Sequence, residues 1–245
     1  MTPHTPTTRE NPVQLLLLSN STAPGRGYLE HARDALADVL DGARDLVFVP
    51  YALADHDAYT AQVAGALAPL GIRVTGAHTG DPATLVRDAP AIFVGGGNTF
   101  RLVDQLHRRG LVEAIRAAVD AGAPYIGSSA GTNVATPSLR TTNDMPIVEP
   151  PSFSTLGLVP FQINPHYLDP DPSSTHQGET RELRLLQYLE ENPGPVLGMR
   201  EGTWLRRRDD RLVLEGEPSG ARFFARGAEP AEVPTGTDLS HLLRA

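Results

Sequence analysis

The sequence predicts an α/β protein in which helices flank a doubly wound, mostly parallel β-sheet. Two observations predict this fold class. Short apolar runs recur along the first half of the chain, and segments with helical spacing separate them. Uninterrupted apolar runs are typical of strands buried on both faces of a parallel sheet, and the strand–helix–strand order favours right-handed crossovers. The predicted strands span residues 13–18, 46–49, 72–76, 91–94 and 124–127.

Helical patterns fill the intervals between these strands. Leu29, Ala32 and Leu36 recur at the spacing of one helix face, and Gly42 follows them as a stop signal. Later intervals are rich in alanine and leucine, which are good helix formers. The predicted helices span residues 29–40, 59–70, 100–109 and 111–121, and a glycine directly follows each of the last three.

The second half of the chain is less regular. Residues 137–160 are rich in proline, serine and threonine, which predicts a loop, and residues 178–191 predict a helix. Further short apolar runs predict strands, the later of which form C-terminal β-hairpins that cover one edge of the sheet. We expect residues 1–12, which are polar and repeat threonine and proline, to be a disordered tail, and residues 13–245 to form a single α/β domain. These additional strands span residues 161–163, 196–199, 203–206, 212–214 and 221–224.

Composition excludes several classes of function. The chain has 245 residues, a formal net charge of −8 and no cysteine, and arginine replaces lysine throughout. Without cysteine there is no disulfide, thiolate metal site or cysteine nucleophile. An acidic protein is a poor candidate for nucleic-acid binding, and no apolar stretch reaches the ~20 residues that span a bilayer. We therefore expect a cytoplasmic protein that binds neither nucleic acid nor a membrane.

A candidate nucleophile follows the strand predicted at 124–127. Residues 127–131 read Gly-Ser-Ser-Ala-Gly and precede small residues that suit a helix start. This is the G-x-S-x-G pattern in the strand–turn–helix context that presents a serine at the carboxyl end of a strand. Ser129 is the candidate nucleophile, and the Ala130 N–H is a candidate oxyanion donor. A serine-rich ligand loop or a tight packing turn is the alternative.

A second glycine loop follows the strand predicted at 91–94. Residues 95–99 read Gly-Gly-Gly-Asn-Thr, and the glycines let backbone N–H groups approach a ligand closely. Gly97 is the candidate second oxyanion donor, and Asn98 is a candidate substrate-binding residue. A nucleotide phosphate loop is the alternative, although neither G-x-G-x-x-G nor the P-loop lysine occurs. Both glycine loops follow the carboxyl ends of predicted strands, where ligands bind in open α/β sheets.

His166 is the candidate general base, because it directly follows a predicted strand and a serine hydroxyl needs a base to become an effective nucleophile. His176 is its nearest rival. The imidazole in turn needs a carboxylate to hold it. Asp144, in a polar loop after the nucleophile, and Glu201, after a later strand, both suit that role, and the sequence leaves the choice open. The order of serine before histidine, at short separation, disfavours a standard α/β-hydrolase.

Several strings resemble the peptidase E family of aspartyl dipeptidases, and the resemblance runs from about residue 13 to residue 224. Together the strings are specific, because several unusual ones occur in the right order. They are LLLLSNST at 15–22, VGGGNTF at 94–100, YIG and SAG within 125–131, RTTNDMPIV at 140–148, QINPH at 162–166 and GETRE at 178–182.

The resemblance implies a flavodoxin-like fold akin to the class I glutamine amidotransferases, with serine in place of their cysteine. It implies a homodimer that hydrolyses dipeptides with N-terminal aspartate through an acyl-enzyme, without a metal or cofactor. Ser129 is then the nucleophile, His166 the base, and Asp144 or Glu201 the acidic member. Arg181 matches the arginine that holds the aspartyl carboxylate of the substrate, which a planar guanidinium can bind bidentately. An ordinary helix arginine paired with a neighbouring glutamate is the alternative.

Two positions depart from the family pattern. Ser128 stands where family members carry tryptophan, which predicts a more open pocket. Arg200 stands where they carry proline and adds positive charge next to Glu201. Two other functions also stay open: hydrolysis of another aspartyl linkage, as in cyanophycinases, and ligand binding without catalysis.

Overall fold

A computed structural model describes residues 12–171, 173, 175 and 177–244. Residues 1–11 of the predicted tail lie outside the described residues, as does His176, the rival to His166. The described part has the doubly wound α/β architecture, so the predicted fold class is confirmed. Within it, no helix is both long and apolar enough to cross a membrane.

A parallel sheet forms the centre of the molecule, and all five strands predicted in the first half are present. They are β1 (Gln14–Leu18), β2 (Asp45–Val49), β3 (Arg73–Gly76), β4 (Ile92–Val94) and β5 (Tyr125–Ser128). Their spatial order is β3-β2-β4-β5-β1, and neighbouring strands within this group run parallel. The chain therefore winds outward from β1 and returns, which produces the doubly wound topology.

Helices cover both faces of this sheet. They are α1 (Arg33–Val39), α2 (His56–Leu67), α3 (Pro82–Arg87), α4 (Thr99–Arg108) and α5 (Leu111–Asp120). Successive side chains of a strand point to opposite faces, so Leu16 and Leu18 of β1 pack in the core under α1 and α2. Leu15 and Leu17 pack in the core under α4 and α5. All four side chains are fully buried, and burying each leucine stabilises the fold by about 1.5–3 kcal/mol.

The second half of the chain adds further helices and strands. They are α6 (Ala130–Asn133), β6 (Gln162–Asn164), α7 (Arg181–Glu191), β7 (Val196–Met199), β8 (Thr203–Arg208), β9 (Arg211–Gly216), β10 (Ala221–Phe224) and β11 (Ala231–Val233). The hairpin of β8 and β9 pairs antiparallel with β1 and covers that edge, as predicted, which completes a seven-stranded sheet. The prediction that residues 221–224 belong to the same covering hairpins is wrong, because β10 pairs with β7. Short apolar runs do not specify their partners.

The strands β11, β10, β7 and β6 form a separate four-stranded sheet in that order. Within it β6 and β7 run parallel, so their carboxyl ends lie side by side. His166 and Glu201 follow those two ends, whereas the glycine loop 95–99 and Ser129 follow β4 and β5 of the seven-stranded sheet. Both sheets therefore contribute to the predicted site.

Helix caps explain where the observed helices differ from the predicted ones. The helix α2 begins at His56 rather than at residue 59, because the Asp55 carboxylate accepts a hydrogen bond from the Ala58 N–H. The Thr180 hydroxyl caps α7 in the same way. The helix α3 was not predicted, although Asp81 and Pro82 provide a cap and a favoured first residue. Short 3-10 segments span Glu30–Ala32, Ala68–Leu70, Ala77–Thr79, Leu139–Thr141 and Ser240–Arg244.

Candidate active site

Ser129 lies in a sharp turn between β5 and α6. Its backbone has φ 53° and ψ −110°, a conformation that residues other than glycine rarely adopt. Neighbouring backbone fixes the turn: the Ser129 N–H donates to the Leu18 carbonyl at 3.1 Å, and the Ser129 carbonyl accepts from the N–H groups of Thr132 and Asn133 at 2.9 Å. Such strain persists only where the surroundings hold it. The serine side chain is therefore presented from a fixed backbone.

The two glycines of the motif allow this turn to pack. A Cβ at Gly131 would lie 2.0 Å from the Val94 carbonyl oxygen, and a Cβ at Gly127 would lie 2.6 Å from the carbonyl oxygen of Gly131. Neither neighbour is a flexible side chain, so no other residue fits without moving the backbone. The G-x-S-x-G pattern is thus a packing requirement of the turn that presents Ser129.

His166 follows β6 through Pro165 and also has a left-handed backbone, with φ 53°. Its N–H donates to Ser19 Oγ at 3.0 Å, and Asn143 Nδ2 donates to the Pro165 carbonyl at 2.8 Å. The imidazole reaches the nucleophile, since His166 Nε2 lies 3.0 Å from Ser129 Oγ. The structure therefore brings together the two side chains that the sequence singles out.

Of the two candidate carboxylates, Glu201 contacts the imidazole and Asp144 does not. Glu201 Oε1 lies 2.6 Å from His166 Nδ1, whereas Asp144 Oδ2 accepts from the Thr99 N–H at 2.7 Å and from the Thr99 hydroxyl at 2.6 Å. A carboxylate at Nδ1 keeps the proton on that nitrogen, which leaves Nε2 able to accept the serine proton. Ser129, His166 and Glu201 thus lie in line, from hydroxyl through imidazole to carboxylate, and we call this arrangement the candidate catalytic line.

The catalytic line opens into a cavity of about 320 Å³, a volume that suits a small ligand. Its wall carries the carboxylates of Asp144 and Glu201 and the guanidinium of Arg181. Across the described residues, no group of three or more His, Asp or Glu side chains is arranged to hold a metal ion. The lining residues are Thr99, Ser129, Ala130, Asn133, Thr142, Asn143, Asp144, Pro165, His166, Leu168, Arg181 and Glu201.

Arg181 is the first residue of α7 and is half-buried in the cavity wall. Burial lowers the pKa of its guanidinium, and the charge of Arg184 lowers it further, while Glu201 and Asp144 act in the opposite direction. Arg181 Nη1 is buried and has no hydrogen-bond acceptor in the part of the chain that the structure describes. A buried donor on a charged group is costly without an acceptor. The cavity is therefore complementary to an anion at this point.

The alternative reading of Arg181, as an arginine paired with a neighbouring glutamate, does not match the ion pairs. Glu179 lies 3.7 Å from Arg184, and Glu182 lies 2.9 Å from Arg222. The two nearby glutamates thus face other arginines, and the Arg181 side chain lines the cavity.

The glycine loop after β4 packs directly on the nucleophile. A Cβ at Gly96 would lie 3.0 Å from Ser129 Cβ, so the loop backbone lies against the serine. Gly97 has a φ of 132° and closely approaches the Ala52 carbonyl, where a Cβ would lie at 2.7 Å. Ala130 is the first residue of α6, where an N–H has no acceptor within its own helix. Gly97 and Ala130 remain the predicted oxyanion donors.

Asn98 and Ser128 lie outside the cavity wall. Asn98 caps α4: its Oδ1 accepts from the Arg101 N–H at 3.0 Å, while its Nδ2 donates to the Met145 carbonyl at 2.9 Å. Asn98 is therefore a helix cap that also contacts the loop at Met145, its position just before a helix was a capping signal, and its role in substrate binding stays a prediction. Ser128 is fully buried and does not line the cavity, and the more open pocket expected from its small side chain stays a prediction.

Arg200 does not add free positive charge beside Glu201, because two other carboxylates neutralise it. Its guanidinium donates twice to Asp169, at 2.7 Å each, and twice to Glu232, at 3.0 Å each. A fifth bond reaches the Ser219 carbonyl at 2.8 Å. All five N–H donors of the guanidinium are therefore used, and Glu201 stays available to His166.

The polar side chains that hold the backbone around His166 and Glu201 were not identified from the sequence. Ser19 and Asn20 accept backbone N–H groups at the base of the site, and Asn143 holds the carbonyl before His166. The available signal was the Ser-Asn pair directly after the predicted first strand, at the sheet edge where ligands bind.

A doubly wound sheet with a serine, an imidazole and a carboxylate in line at its carboxyl edge defines a serine hydrolase. Comparison with known proteins narrows this class. The model of Peptidase family S51 matches residues 15–214, and the chain belongs to this family. It is a serine peptidase.

Two relatives match nearly end to end. "Peptidase E" of Streptomyces coelicolor is 66% identical over 94% of this chain and 95% of its own length. A Drosophila melanogaster protein named "Probable alpha-aspartyl dipeptidase" is 52% identical over 94% of this chain and 97% of its own length. The crystal structure of a peptidase from an acI-B1 Actinobacterium has the same fold, with a TM-score of 0.67 at 18% identity over 92% of this chain and 96% of that one.

Proposed function

We propose that this serine peptidase hydrolyses dipeptides with N-terminal aspartate through an acyl-enzyme on Ser129. The observation that carries the proposal is the position of Arg181, which lines the same cavity as the catalytic line and whose buried Nη1 has no acceptor among the described residues. The name of the Drosophila melanogaster relative, "Probable alpha-aspartyl dipeptidase", points to the same substrate class. The cavity volume of about 320 Å³ leaves room for a ligand of dipeptide size.

In the proposed mechanism, His166 accepts the hydroxyl proton as Ser129 Oγ attacks the carbonyl carbon of the aspartyl residue. Glu201 holds the imidazole and stabilises the imidazolium that forms. The N–H groups of Gly97 and Ala130 hold the oxyanion, an interaction worth about 3–4 kcal/mol per donor. His166 then protonates the leaving amine, and water activated by the same imidazole releases aspartate from the ester.

Recognition in this proposal depends on two opposite charges. The guanidinium of Arg181 pairs with the side-chain carboxylate of the substrate, and the carboxylate of Asp144 accepts from the substrate's α-ammonium group. Both side chains line the cavity with Ser129. A neutral side chain would leave the Arg181 charge unpaired, so the site rejects it.

The first test replaces the nucleophile. Ser129→Ala should reduce hydrolysis of Asp-Leu by at least about 10⁴-fold without changing the circular dichroism spectrum. Parallel assays with the α- and β-aspartyl isomers of the dipeptide identify the linkage that is cut. Activity of Ser129→Ala near that of the wild type would refute the acyl-enzyme.

The second test concerns selectivity. Arg181→Met should lose most of the preference for Asp-Leu over Asn-Leu, because no cation then pairs with the aspartyl carboxylate. Arg184→Met is the matched control, since Arg184 lies on the same helix and faces Glu179 instead of the cavity. An Asp-to-Asn preference that survives in Arg181→Met would contradict the assignment.

We also propose that residues 13–245 act as one domain, and that the enzyme works in the cytoplasm as a homodimer. Several large apolar side chains near the cavity residues are exposed. Met145 and Ile147, which follow the cavity residue Asp144 in the sequence, are 76% and 51% exposed, and Leu168 in the cavity wall is 60% exposed. Clustered apolar exposure is typical of an interface. Light scattering should give twice the chain mass, and Ile147→Glu should shift it towards the monomer.

A further inference from the structure

Three consecutive residues at the carboxyl end of β1 each hold one part of the catalytic line. The Leu18 carbonyl accepts from the Ser129 N–H at 3.1 Å, and Ser19 Oγ accepts from the His166 N–H at 3.0 Å. Asn20 Oδ1 accepts from the N–H of Gly202, the residue after Glu201, at 2.8 Å. We infer that Ser19 and Asn20 are positioning residues that set the spacing between nucleophile, base and acid.

Ser19 joins the base to the strand that leads to the acid. Its hydroxyl is fully buried, accepts from His166 and donates to the Met199 carbonyl at 2.9 Å. The same carbonyl accepts from the Tyr167 N–H at 2.9 Å. One hydroxyl therefore links the turn of His166 to the end of β7, two residues before Glu201. Alanine at position 19 would leave the His166 N–H without this acceptor.

Asn20 holds the turn that carries the acid. Its side chain is 1% exposed, and while Oδ1 accepts from Gly202, Nδ2 donates to the Thr22 carbonyl at 2.9 Å. Gly202 has a φ of 82°, so the turn is a tight one that depends on local hydrogen bonds. The Asn20 amide thus ties the loop after β1 to the Glu201 turn.

Burial alone does not fix the base and the acid. The side chains of His166 and Glu201 are 36% and 44% exposed, and His166 has a left-handed backbone that needs external support. Proton transfer requires the imidazole to remain within hydrogen-bonding reach of the serine. A misplacement of about 1 Å can reduce the rate about 100-fold. The buried contacts beneath the exposed side chains therefore carry the alignment.

These contacts also cross from one sheet to the other. Residues 18–20 end a strand of the seven-stranded sheet, whereas His166 and Glu201 follow strands of the four-stranded sheet. The Ser19 hydroxyl also donates to the carbonyl of Met199, the last residue of β7, at 2.9 Å. Ser19 and Asn20 thus join the two sheets at the active site.

The test uses Ser19→Ala and Asn20→Ala in the full-length enzyme, with Asp-Leu as substrate. The kinetic part rests on the proposed function, whereas hydrogen–deuterium exchange of the segments 166–169 and 201–203 does not. Each variant should lower kcat about 10-fold to 100-fold while KM stays within about threefold, because the alignment is lost and the Arg181 subsite is not. Exchange should become faster in the segment that each side chain holds.

Thr155→Val is the matched control, because Thr155 is 1% exposed and its hydroxyl donates to the Thr136 carbonyl outside the cavity. It should lower the melting temperature as Ser19→Ala does, yet keep wild-type kcat per folded molecule. The inference is overturned if Ser19→Ala and Asn20→Ala keep wild-type kcat and wild-type exchange. Should Ser19→Ala fail to fold, Asn20→Ala decides the question by the same criteria.

Discussion

The two sheets hold their parts of the active site by different means. On the seven-stranded side, Ser129 lies in a turn whose backbone packs against neighbouring backbone, and a Cβ added at Gly131 would lie 2.0 Å from the Val94 carbonyl oxygen. On the four-stranded side, the imidazole of His166 and the carboxylate of Glu201 are 36% and 44% exposed and are held by hydrogen bonds. Ser129 is thus fixed by backbone packing and backbone hydrogen bonds, whereas the turns that carry His166 and Glu201 are fixed by hydrogen bonds with polar side chains.

This difference predicts which changes each side tolerates. A close-packed interior has no room for an added methyl group but is indifferent to pH. A network of exposed carboxylates and arginines tolerates changes in side-chain shape, but its contribution to stability depends on the charges of its members and therefore on pH. Three experiments, taken from the largest expected effect to the smallest, probe the two sides separately.

One methyl group added to the packed backbone near Ser129 should destabilise the fold. Gly131→Ala should destabilise the enzyme by about 3 kcal/mol or more, because its Cβ would meet the Val94 carbonyl oxygen at 2.0 Å. Gly65→Ala is the control: Gly65 lies in α2 with nothing within 4 Å of an added Cβ, and alanine there should stabilise by about 1 kcal/mol. Urea unfolding measures both, and equal stability of the two variants would contradict the steric account.

Substitutions of the two cavity carboxylates should separate an effect on the chemical step from an effect on substrate binding. Glu201→Gln should lower kcat by about 10³-fold or more, because an amide does not hold the Nδ1 proton in place. Asp144→Asn should mainly raise KM, since its carboxylate lies away from the imidazole but lines the cavity. Steady-state kinetics on an Asp-X dipeptide distinguish the two, and a larger loss of kcat in Asp144→Asn would reverse the assignment of the acid.

Low pH should slightly lower the stability of the fold by removing the ion pairs of Arg200. Hydrogen bonds from Arg200 hold the pKa values of Asp169 and Glu232 below their ordinary range. Their ion pairs therefore stabilise the fold above about pH 4, and this stabilisation is lost as the pH falls through the lowered pKa values. Melting temperatures at pH 7 and pH 3 should differ more for the wild type than for Arg200→Met. The difference should be small because both carboxylates are about half exposed.

The parallel sheet could be predicted from the sequence because its signals are local. Each buried strand is a short apolar run, and β1 alone supplies four consecutive leucines that are fully buried. The elbow at Ser129 was predictable for the same reason, since its two glycines stand within two residues of it. Steric requirements of this kind involve residues that are adjacent in the sequence, so the sequence alone reveals them.

The four-stranded sheet could not be predicted, because a pairing such as β10 with β7 depends on long-range partners. The sequence left the choice between Asp144 and Glu201 open for a similar reason: each follows a predicted element in a polar loop, and only their distances from the imidazole distinguish them. The helix cap formed by Asn98 was not predicted, because a helix cap and a ligand contact look alike in a glycine loop. Polar networks combine residues that are far apart in the sequence, so the sequence alone does not reveal them.

The division of the catalytic line between two sheets also bears on how the enzyme acquires activity. A chain in which the seven-stranded sheet has folded alone would possess a correctly shaped serine turn but no base to activate it. Hydrolysis therefore requires both sheets to be in place, and peptide-bond cleavage reports on their alignment.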